Sequence, residues 1–192
     1  MHRLSTSFVF GYHGCDRKVG ERILAGQADL QPSENDYDWL GPGVYFWEAN
    51  PERAYQFAVE KSKRKQGIVE PYVLGAVIDL GYCLDLTTKD SLDDLRDAHQ
   101  SLMASLQSDG AAPPRNGPQP WMRSLDCAVI RRFHAIIEDS DSAAADTVRG
   151  VFQKGEPIYF GSAFREKTHI QIAVVNADCI KAKFRVTQPG TD

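Results

Sequence analysis

FVFGYHGC, residues 8–15, is the stretch that decides the fold, because an apolar run typical of a buried β-strand ends there in a histidine followed by a glycine. A strand that only fills a core needs neither an imidazole at its end nor a residue without a Cβ after it. Glycine lets another group approach the backbone closely, so this strand end is predicted to face a ligand. The alternative is a core histidine that closes the strand.

The composition is that of an ordinary globular protein, with 192 residues, 42% hydrophobic and 25% charged side chains. A formal net charge of −4 excludes a molecule-wide positive field that would gather nucleic acid or an anionic membrane. The segment MHRLSTSFVF is too short and polar for a signal peptide, and no run approaches the ~20 apolar residues of a membrane span. We therefore expect one cytoplasmic domain over residues 1–192, with no membrane partner.

The cysteines lie far apart in the sequence, at Cys15, Cys83, Cys127 and Cys179. They form no Cys-x-x-Cys pair, and no histidine stands at the spacing of a zinc site. The sequence therefore predicts neither a disulfide framework nor a metal site. Buried thiols are the favoured interpretation.

The hydrophobic periodicity predicts strands towards both ends of the chain and helices between them. Strands are predicted at residues 8–15, 44–47, 72–80, 146–152, 156–160, 169–175 and 180–186, and helices at 16–26, 51–65, 91–107 and 124–139. Asn50 is the predicted N-cap of the helix that begins at Pro51, and Ser91 that of the long middle helix. The two later helices form an expected helical insertion at approximately residues 86–140.

Three motifs together carry a family resemblance. Tyr-His-Gly at 12–14, a helix ending at Gly26, and a Gly-x-Gly turn leading into VYF at 44–46 resemble the nicotinamide-binding half of the ADP-ribosyltransferase fold of diphtheria toxin and the poly(ADP-ribose) polymerases. In that family a third strand carries a glutamate, and the corresponding run here is QIAVVNADCI at 171–180. Three motifs in the right order are much harder to obtain by chance than one. The resemblance implies an α+β fold with an ADP-ribosyltransferase-like split β-sheet core and peripheral helices.

The same resemblance implies NAD as co-substrate and assigns roles to particular residues. His13 would bond a ribose hydroxyl, the backbone of Gly14 would hold the nicotinamide carboxamide, and the ring of Tyr45 would stack on nicotinamide. Tyr55, on the next helix, would close the other side, or would simply pack in the core as aromatic residues on apolar helix faces do. The loop at 35–39 would lie over the cleft, or would be a solvated surface loop.

The third motif departs from the family, because Gln171 stands in the glutamate position. Strand alternation places Gln171 with His169 on the face opposite Ile170 and Ile172. An amide can bond a ribose hydroxyl but brings no negative charge to a developing cation, and the resemblance implies transfer of a single unit instead of chain elongation. Glu166, in the loop that corresponds to the family's target-recognition loop, either supplies the carboxylate or is a solvated surface charge.

The run KSKRK at 61–65 bears on the target. Its four positive charges could contact a nucleic-acid backbone, or they could be a solvated helix terminus where cations suit the dipole.

We expect an NAD-dependent mono-ADP-ribosyltransferase that modifies a protein or nucleic acid, as a bacterial toxin or phage-defence effector with a possible antitoxin partner. Two alternatives stay open. One is a non-catalytic module that binds NAD or ADP-ribose, and the other is an RNA 2′-phosphotransferase, which shares the fold and needs Arg and His residues to hold the RNA phosphate.

Overall fold

The computed structural model describes residues 2–3, 8–119, 122–140 and 143–189. These residues form one largely antiparallel sheet and four α-helices, which confirms the predicted α+β class. The strands are β1 (His2–Arg3), β2 (Phe8–Asp16), β3 (Val44–Glu48), β4 (Pro71–Asp79), β5 (Tyr82–Asp85), β6 (Thr147–Phe152), β7 (His169–Val174) and β8 (Ile180–Arg185). The helices are α1 (Arg17–Leu24), α2 (Pro51–Lys63), α3 (Lys89–Ser108) and α4 (Ser124–Glu138).

The strand order β1-β5-β6-β7-β3-β2-β4-β8 makes β7, β3 and β2 neighbours. Strand β2 pairs with β4 along its whole length, from Phe8↔Asp79 to Asp16↔Pro71. Its pairing with β3 is limited to Gly11↔Glu48 and Tyr12↔Trp47. The hydrogen-bonded sheet is therefore continuous. The short pairing between β2 and β3 is a seam that joins its two halves, and it ends where the His-Gly pair of β2 begins.

Alternate residues of β3 pack into different parts of the core, as the two-residue period of a strand requires. Phe46 belongs to a cluster with α1, and Tyr45 packs against a second cluster built with α3 and α4. Trp47 belongs to a third cluster, which includes Ala54 of α2 and Val73 of β4. The sheet is thus covered by α1 on one side and by α2, α3 and α4 on the other.

The ends of the helices follow ordinary capping chemistry. The side chain of Asn50 accepts a 2.9 Å hydrogen bond from the backbone N–H of Arg53, and Pro51 opens α2, both as predicted. The prediction that Ser91 caps the middle helix is wrong. Helix α3 begins at Lys89, and the extended residue Thr88 accepts a hydrogen bond from the N–H of Ser91, whose own side chain is buried in the first turn.

The observed sheet differs from the predicted one in three strands. Strands β1 and β5 were not predicted, because they have only two and four residues. The strand predicted at 156–160 is wrong, since residues 153–168 form a loop in which Ile158, Tyr159 and Phe160 are all more than half exposed. Strands β6 and β7 flank this loop in sequence, and both are already paired on each side, so neither offers an edge to a further strand.

A partly buried ion cluster connects three strands in the larger half of the sheet. The guanidinium of Arg149 on β6 bonds Glu48 of β3 at 2.6 Å and Asp85 of β5 at 3.1 Å. All four cysteines are buried thiols without a disulfide partner. Among the described helices, none is both long and apolar enough to cross a lipid bilayer.

Candidate functional site

The opening beside the seam between β2 and β3 is a cavity of about 740 Å³. The end of β2, strands β3 and β7, the loop at 31–43 and one face of α2 form its walls. His13, Gly14, Tyr45 and Gln171 all line it, so the structure brings together one residue or more from each of the three sequence motifs.

The ring of His13 lies just past the last residue pair between β2 and β3. Its Nδ1 is 2.9 Å from the backbone oxygen of Tyr45, so the ring takes a place that an amide of a paired strand would otherwise hold. Because a carbonyl oxygen can only accept, Nδ1 carries the proton, and Nε2 of the neutral ring is an acceptor. Burial lowers the pKa of His13, which favours this neutral form.

Gly14 has a packing reason to be glycine. A Cβ at this position would stand 2.2 Å from the backbone oxygen of Ala54, on the helix that covers the sheet. The missing side chain therefore lets α2 approach β2. Close approach of a ligand to the backbone stays a second, predicted reason for this glycine, because Gly14 also lines the cavity.

Tyr45 is held by its hydroxyl group. The hydroxyl donates to the backbone oxygen of Gly41 at 2.8 Å and accepts from the N–H of Leu40 at 3.0 Å. Burial raises the pKa of Tyr45, so the phenol stays protonated. Gly41 has a φ of +74°, a backbone conformation that residues with a side chain rarely adopt. The glycine of the Gly-x-Gly turn therefore allows the backbone conformation that brings its carbonyl oxygen to this hydroxyl. Tyr45 also lines the cavity and packs against the core.

Gln171 is fixed by a tryptophan from the covering loop. The indole N–H of Trp39 donates to Oε1 of Gln171 at 2.8 Å, and because an indole nitrogen only donates, the amide oxygen must face it. The amide NH₂ is then the part of the side chain that can donate to a ligand. Of the predicted loop over the cleft, Asn35, Tyr37 and Asp38 also line the cavity.

Two further predicted residues are placed elsewhere among the described residues. Tyr55 is half-buried against the cluster of Trp47, Ala54 and Val73, and it is not one of the cavity-lining residues. Glu166 is exposed in the loop at 153–168, where its backbone N–H donates to Glu156, and it does not line the cavity. The structure therefore puts Tyr55 in the position that its core-packing alternative describes.

One face of α2 was missed as part of the site. Its cavity-lining residues recur at helical spacing, and they are Arg53, Phe57, Glu60, Lys61 and Arg64. The sequence carries this signal, since charged residues and one aromatic follow a single helical stripe. Of this stripe, only the run at 61–65 is recognised from the sequence, as a contact for a nucleic-acid backbone or a solvated helix terminus, and the first and fourth residues of that run line the cavity.

His169 was likewise named only as a neighbour of Gln171. Its Nδ1 is 2.6 Å from the backbone oxygen of Lys167, so this nitrogen donates and Nε2 is left as an acceptor. Burial, together with the nearby charges of Arg53 and Lys154, lowers the pKa of His169 to about 4. The ring is therefore neutral at pH 7 and lines the cavity as an acceptor.

The carboxylates on the cavity wall already have partners. Asp16 accepts from the backbone N–H groups of Val69 and Glu70, and Asp38 accepts from the backbone N–H of Asn35. Glu60 is paired with lysines. Within the described ranges, no cluster of three or more His, Cys, Asp or Glu residues is placed to hold a metal ion.

Comparison with known proteins yields one limited similarity. No family model matches the chain, and no solved structure matches it. An uncharacterized protein of Methanocaldococcus jannaschii is 30% identical over 105 residues, which cover 44% of this chain and 48% of that protein. The chain thus spans about half the length of the curated relative that it matches.

Proposed function

We propose that the chain is an NAD-dependent mono-ADP-ribosyltransferase that modifies a protein or nucleic acid, as a bacterial toxin or phage-defence effector. One observation carries the proposal. Three motifs that are separated by up to 158 residues in sequence, from His13 to Gln171, line one cavity on three neighbouring strands. Sheet packing alone does not require a histidine, a tyrosine and an amide to meet at one opening.

The geometry supports a division of labour at the nicotinamide end of NAD. Cleavage of the bond between nicotinamide and ribose develops positive charge on the sugar, so the site must hold both parts in place. Nε2 of His13 is the free acceptor for a ribose hydroxyl, since Nδ1 is engaged by Tyr45. The ring of Tyr45, held by its hydroxyl, offers a flat face for the heterocycle.

Gln171 supports single transfer. Its oxygen is engaged by Trp39, so its NH₂ group would orient the ribose without adding negative charge. A neutral group gives weaker electrostatic stabilisation of a developing cation than a carboxylate does. The proposal therefore includes slow turnover of NAD and transfer of one ADP-ribose unit, with the macromolecular target and an antitoxin partner as open assignments.

The test is mass spectrometry of a bacterial extract incubated with the protein and isotopically labelled NAD. We expect one macromolecule to gain a single labelled ADP-ribose, together with release of nicotinamide. His13→Ala and Tyr45→Ala should abolish both signals. The matched control is His99→Ala on α3, which lies outside the cavity. Calorimetry that finds no NAD binding at millimolar concentration would contradict the proposal, and binding without any nicotinamide release would favour the non-catalytic NAD- or ADP-ribose-binding module.

A second candidate is the RNA 2′-phosphotransferase, which needs Arg and His residues for the RNA phosphate. Arg53 and His169 both line the cavity, and this is the observation that favours it. The discriminating substrate is an oligonucleotide with one internal 2′-phosphate. NAD-dependent loss of that phosphate would establish the second candidate, while an unchanged oligonucleotide under conditions where nicotinamide is released would exclude it.

A further inference from the structure

The part of the cavity beside α2 contains buried N–H groups without hydrogen-bond acceptors. Arg53 is 6% exposed, and within the described residues its Nε and Nη1 have no hydrogen-bond partner. The same holds for the indole Nε1 of Trp47, which is 2% exposed. Buried donors are nearly always satisfied in folded proteins, because an unmade hydrogen bond costs free energy. Two such side chains lining one cavity therefore indicate an acceptor that comes from outside the chain.

The charges at this place point to the kind of acceptor. Glu60 faces three cations, with Nζ of Lys167 at 2.9 Å, Nζ of Lys154 at 3.5 Å and Nη1 of Arg53 at 3.7 Å. One carboxylate thus balances three positive charges, and Lys61 lines the same wall. Burial lowers the pKa of Lys154, and the charges of Arg53 and Lys167 add to this effect. An anion would relieve this repulsion.

We propose that Arg53, Lys154 and the indole N–H of Trp47 form a phosphate-binding subsite. Guanidinium and ammonium groups are the usual protein partners of phosphate, and charge-assisted bonds in a partly buried cavity are stronger than exposed ones. The phosphate belongs either to the diphosphate of NAD or to a second, phosphorylated substrate. Its assignment to NAD rests on the proposed function, since it would place the phosphates beside α2 and nicotinamide beside His13 and Tyr45.

A purely structural role for Arg53 makes a different prediction. If Arg53 only stabilised Glu60, its loss would lower stability and leave ligand affinity unchanged. Methionine has a similar length and no charge, and Glu60 keeps its two lysine partners when Arg53 is replaced. Arg53→Met is therefore suited to separate the two roles. Arg53→Lys is the second variant, since it keeps the charge but loses the planar set of donors.

The experiment is isothermal titration calorimetry with inorganic pyrophosphate, ADP-ribose and AMP, alongside thermal unfolding of every variant. We expect the wild-type protein to bind pyrophosphate and ADP-ribose, and Arg53→Met to weaken both by about 10- to 100-fold, as loss of a charged hydrogen bond does. Arg53→Lys should recover part of the affinity. Arg96→Met on α3 removes an exposed arginine of equal charge, lies outside the cavity and should change nothing.

The ligands separate the two sources of the phosphate. ADP-ribose that binds much more tightly than AMP, and competes with NAD, assigns the subsite to the diphosphate of NAD. AMP that binds equally well, and together with NAD, assigns it to a second substrate. Equal affinities for wild type and Arg53→Met, or no binding of pyrophosphate and ADP-ribose by either, would overturn the subsite. If nicotinamide were still released, the proposed function would survive that result, whereas Arg53-dependent binding without nicotinamide release would leave the subsite and remove the function.

Discussion

The hydrogen bond between Trp39 and Gln171 sets what the third motif can do. The 2.8 Å contact fixes the amide oxygen, so the side chain cannot rotate to offer that oxygen in another direction without losing a partly buried hydrogen bond. A carboxylate at the same position could accept the same bond with either oxygen. A glutamate at position 171 is therefore compatible with this site. Its absence has no steric reason.

At the residue scale we predict opposite outcomes for two substitutions of Gln171. Gln171→Ala should lower transfer by about one to two decades while NAD affinity stays nearly unchanged, because loss of a bond made mainly in the transition state costs on the order of 1–3 kcal/mol in the barrier. Gln171→Glu should turn over NAD as fast or faster, with more hydrolysis. Steady-state release of nicotinamide and saturation binding of NAD measure the two quantities.

An alanine variant with unchanged transfer would show that Gln171 lies outside the reacting centre. A Gln171→Glu variant that keeps hydrolysis of NAD but loses transfer would show that the amide is required for transfer to a particular target. Trp39→Phe is the companion variant, since it removes the donor to Gln171 and keeps an aromatic ring in the loop. It should lower transfer in the wild-type background more than in the Gln171→Ala background, because the two residues act as a unit.

Helix α2 joins the packing of the sheet to the cavity at the scale of elements. Its inner residue Ala54 touches β2 at Gly14, while Arg53, one position earlier, lines the cavity. Neighbouring helix positions differ by about 100° in direction, so one helix can cover a core and also furnish a wall. The distance between α2 and β2 therefore affects both the packing of the sheet and the width of the cavity.

We predict that Gly14→Ala lowers the free energy of unfolding by about 3 kcal/mol, because the added methyl group meets a backbone oxygen that can move only with the helix. Urea denaturation measures the effect. The control is Gly26→Ala, where a Cβ meets nothing within 4 Å and the cost is that of a positive φ alone, about 1 kcal/mol. A stable Gly14→Ala protein that no longer binds NAD would show that ligand approach, and not helix packing, requires this glycine.

The elements that the sequence predicts well are those with a strong local signal. Strand β2, helix α2 with its Asn50 cap and strand β7 follow from apolar periodicity and capping residues. The run at 156–160 has the same apolar character, yet it is a loop, because pairing depends on a free strand edge that no local pattern reveals.

Only part of the candidate site could be predicted from the sequence. His13, Gly14, Tyr45 and Gln171 carry a recognisable motif order and line one cavity. Trp47, Lys154 and His169 come from three different strands or loops and share no motif, so only the folded sheet brings them to one wall. A buried arginine also reads as an ordinary surface residue in a sequence, since arginine is rarely buried.

At the scale of the whole molecule, buried neutral histidines couple folding to pH. His169 has a folded-state pKa of about 4, below its ordinary value of 6.5, and burial also lowers the pKa of His13. The unfolded chain therefore binds more protons between pH 6.5 and pH 4. The stability contributed by His169 is present above pH 6.5 and is lost as the pH falls through this window towards 4.

We predict that the free energy of unfolding falls between pH 7 and pH 5, with about 2 kcal/mol of the loss due to His169. Urea denaturation at both pH values measures this loss. His169→Asn keeps a donor for the backbone oxygen of Lys167 but does not titrate, so its loss should be smaller by that amount. His99→Asn on α3 should keep the wild-type difference, and a His169→Asn protein that does so as well would contradict the assignment.

A second whole-molecule prediction concerns cells. Expression in a bacterium without a cognate antitoxin should slow growth, and His13→Ala or Tyr45→Ala should restore it, because both remove groups from the proposed nicotinamide end of the cavity. Growth curves measure the effect, with soluble protein verified for each variant. His99→Ala should stay inhibitory. Wild-type protein that is soluble and leaves growth equal to that with an empty vector would count against the toxin role.

The position of the tryptophans gives the molecule a built-in optical reporter. Trp39 and Trp47 both line the cavity, and Trp121, the third tryptophan of the sequence, lies outside the described residues. Indole emission shifts with the polarity and charge around the ring, so a ligand that enters this cavity must change the fluorescence of the native chain. With Trp121→Phe as background, emission wavelength and quenching would report occupancy without any label, and Trp39→Phe would then reduce the signal to the Trp47 indole, which packs against α2.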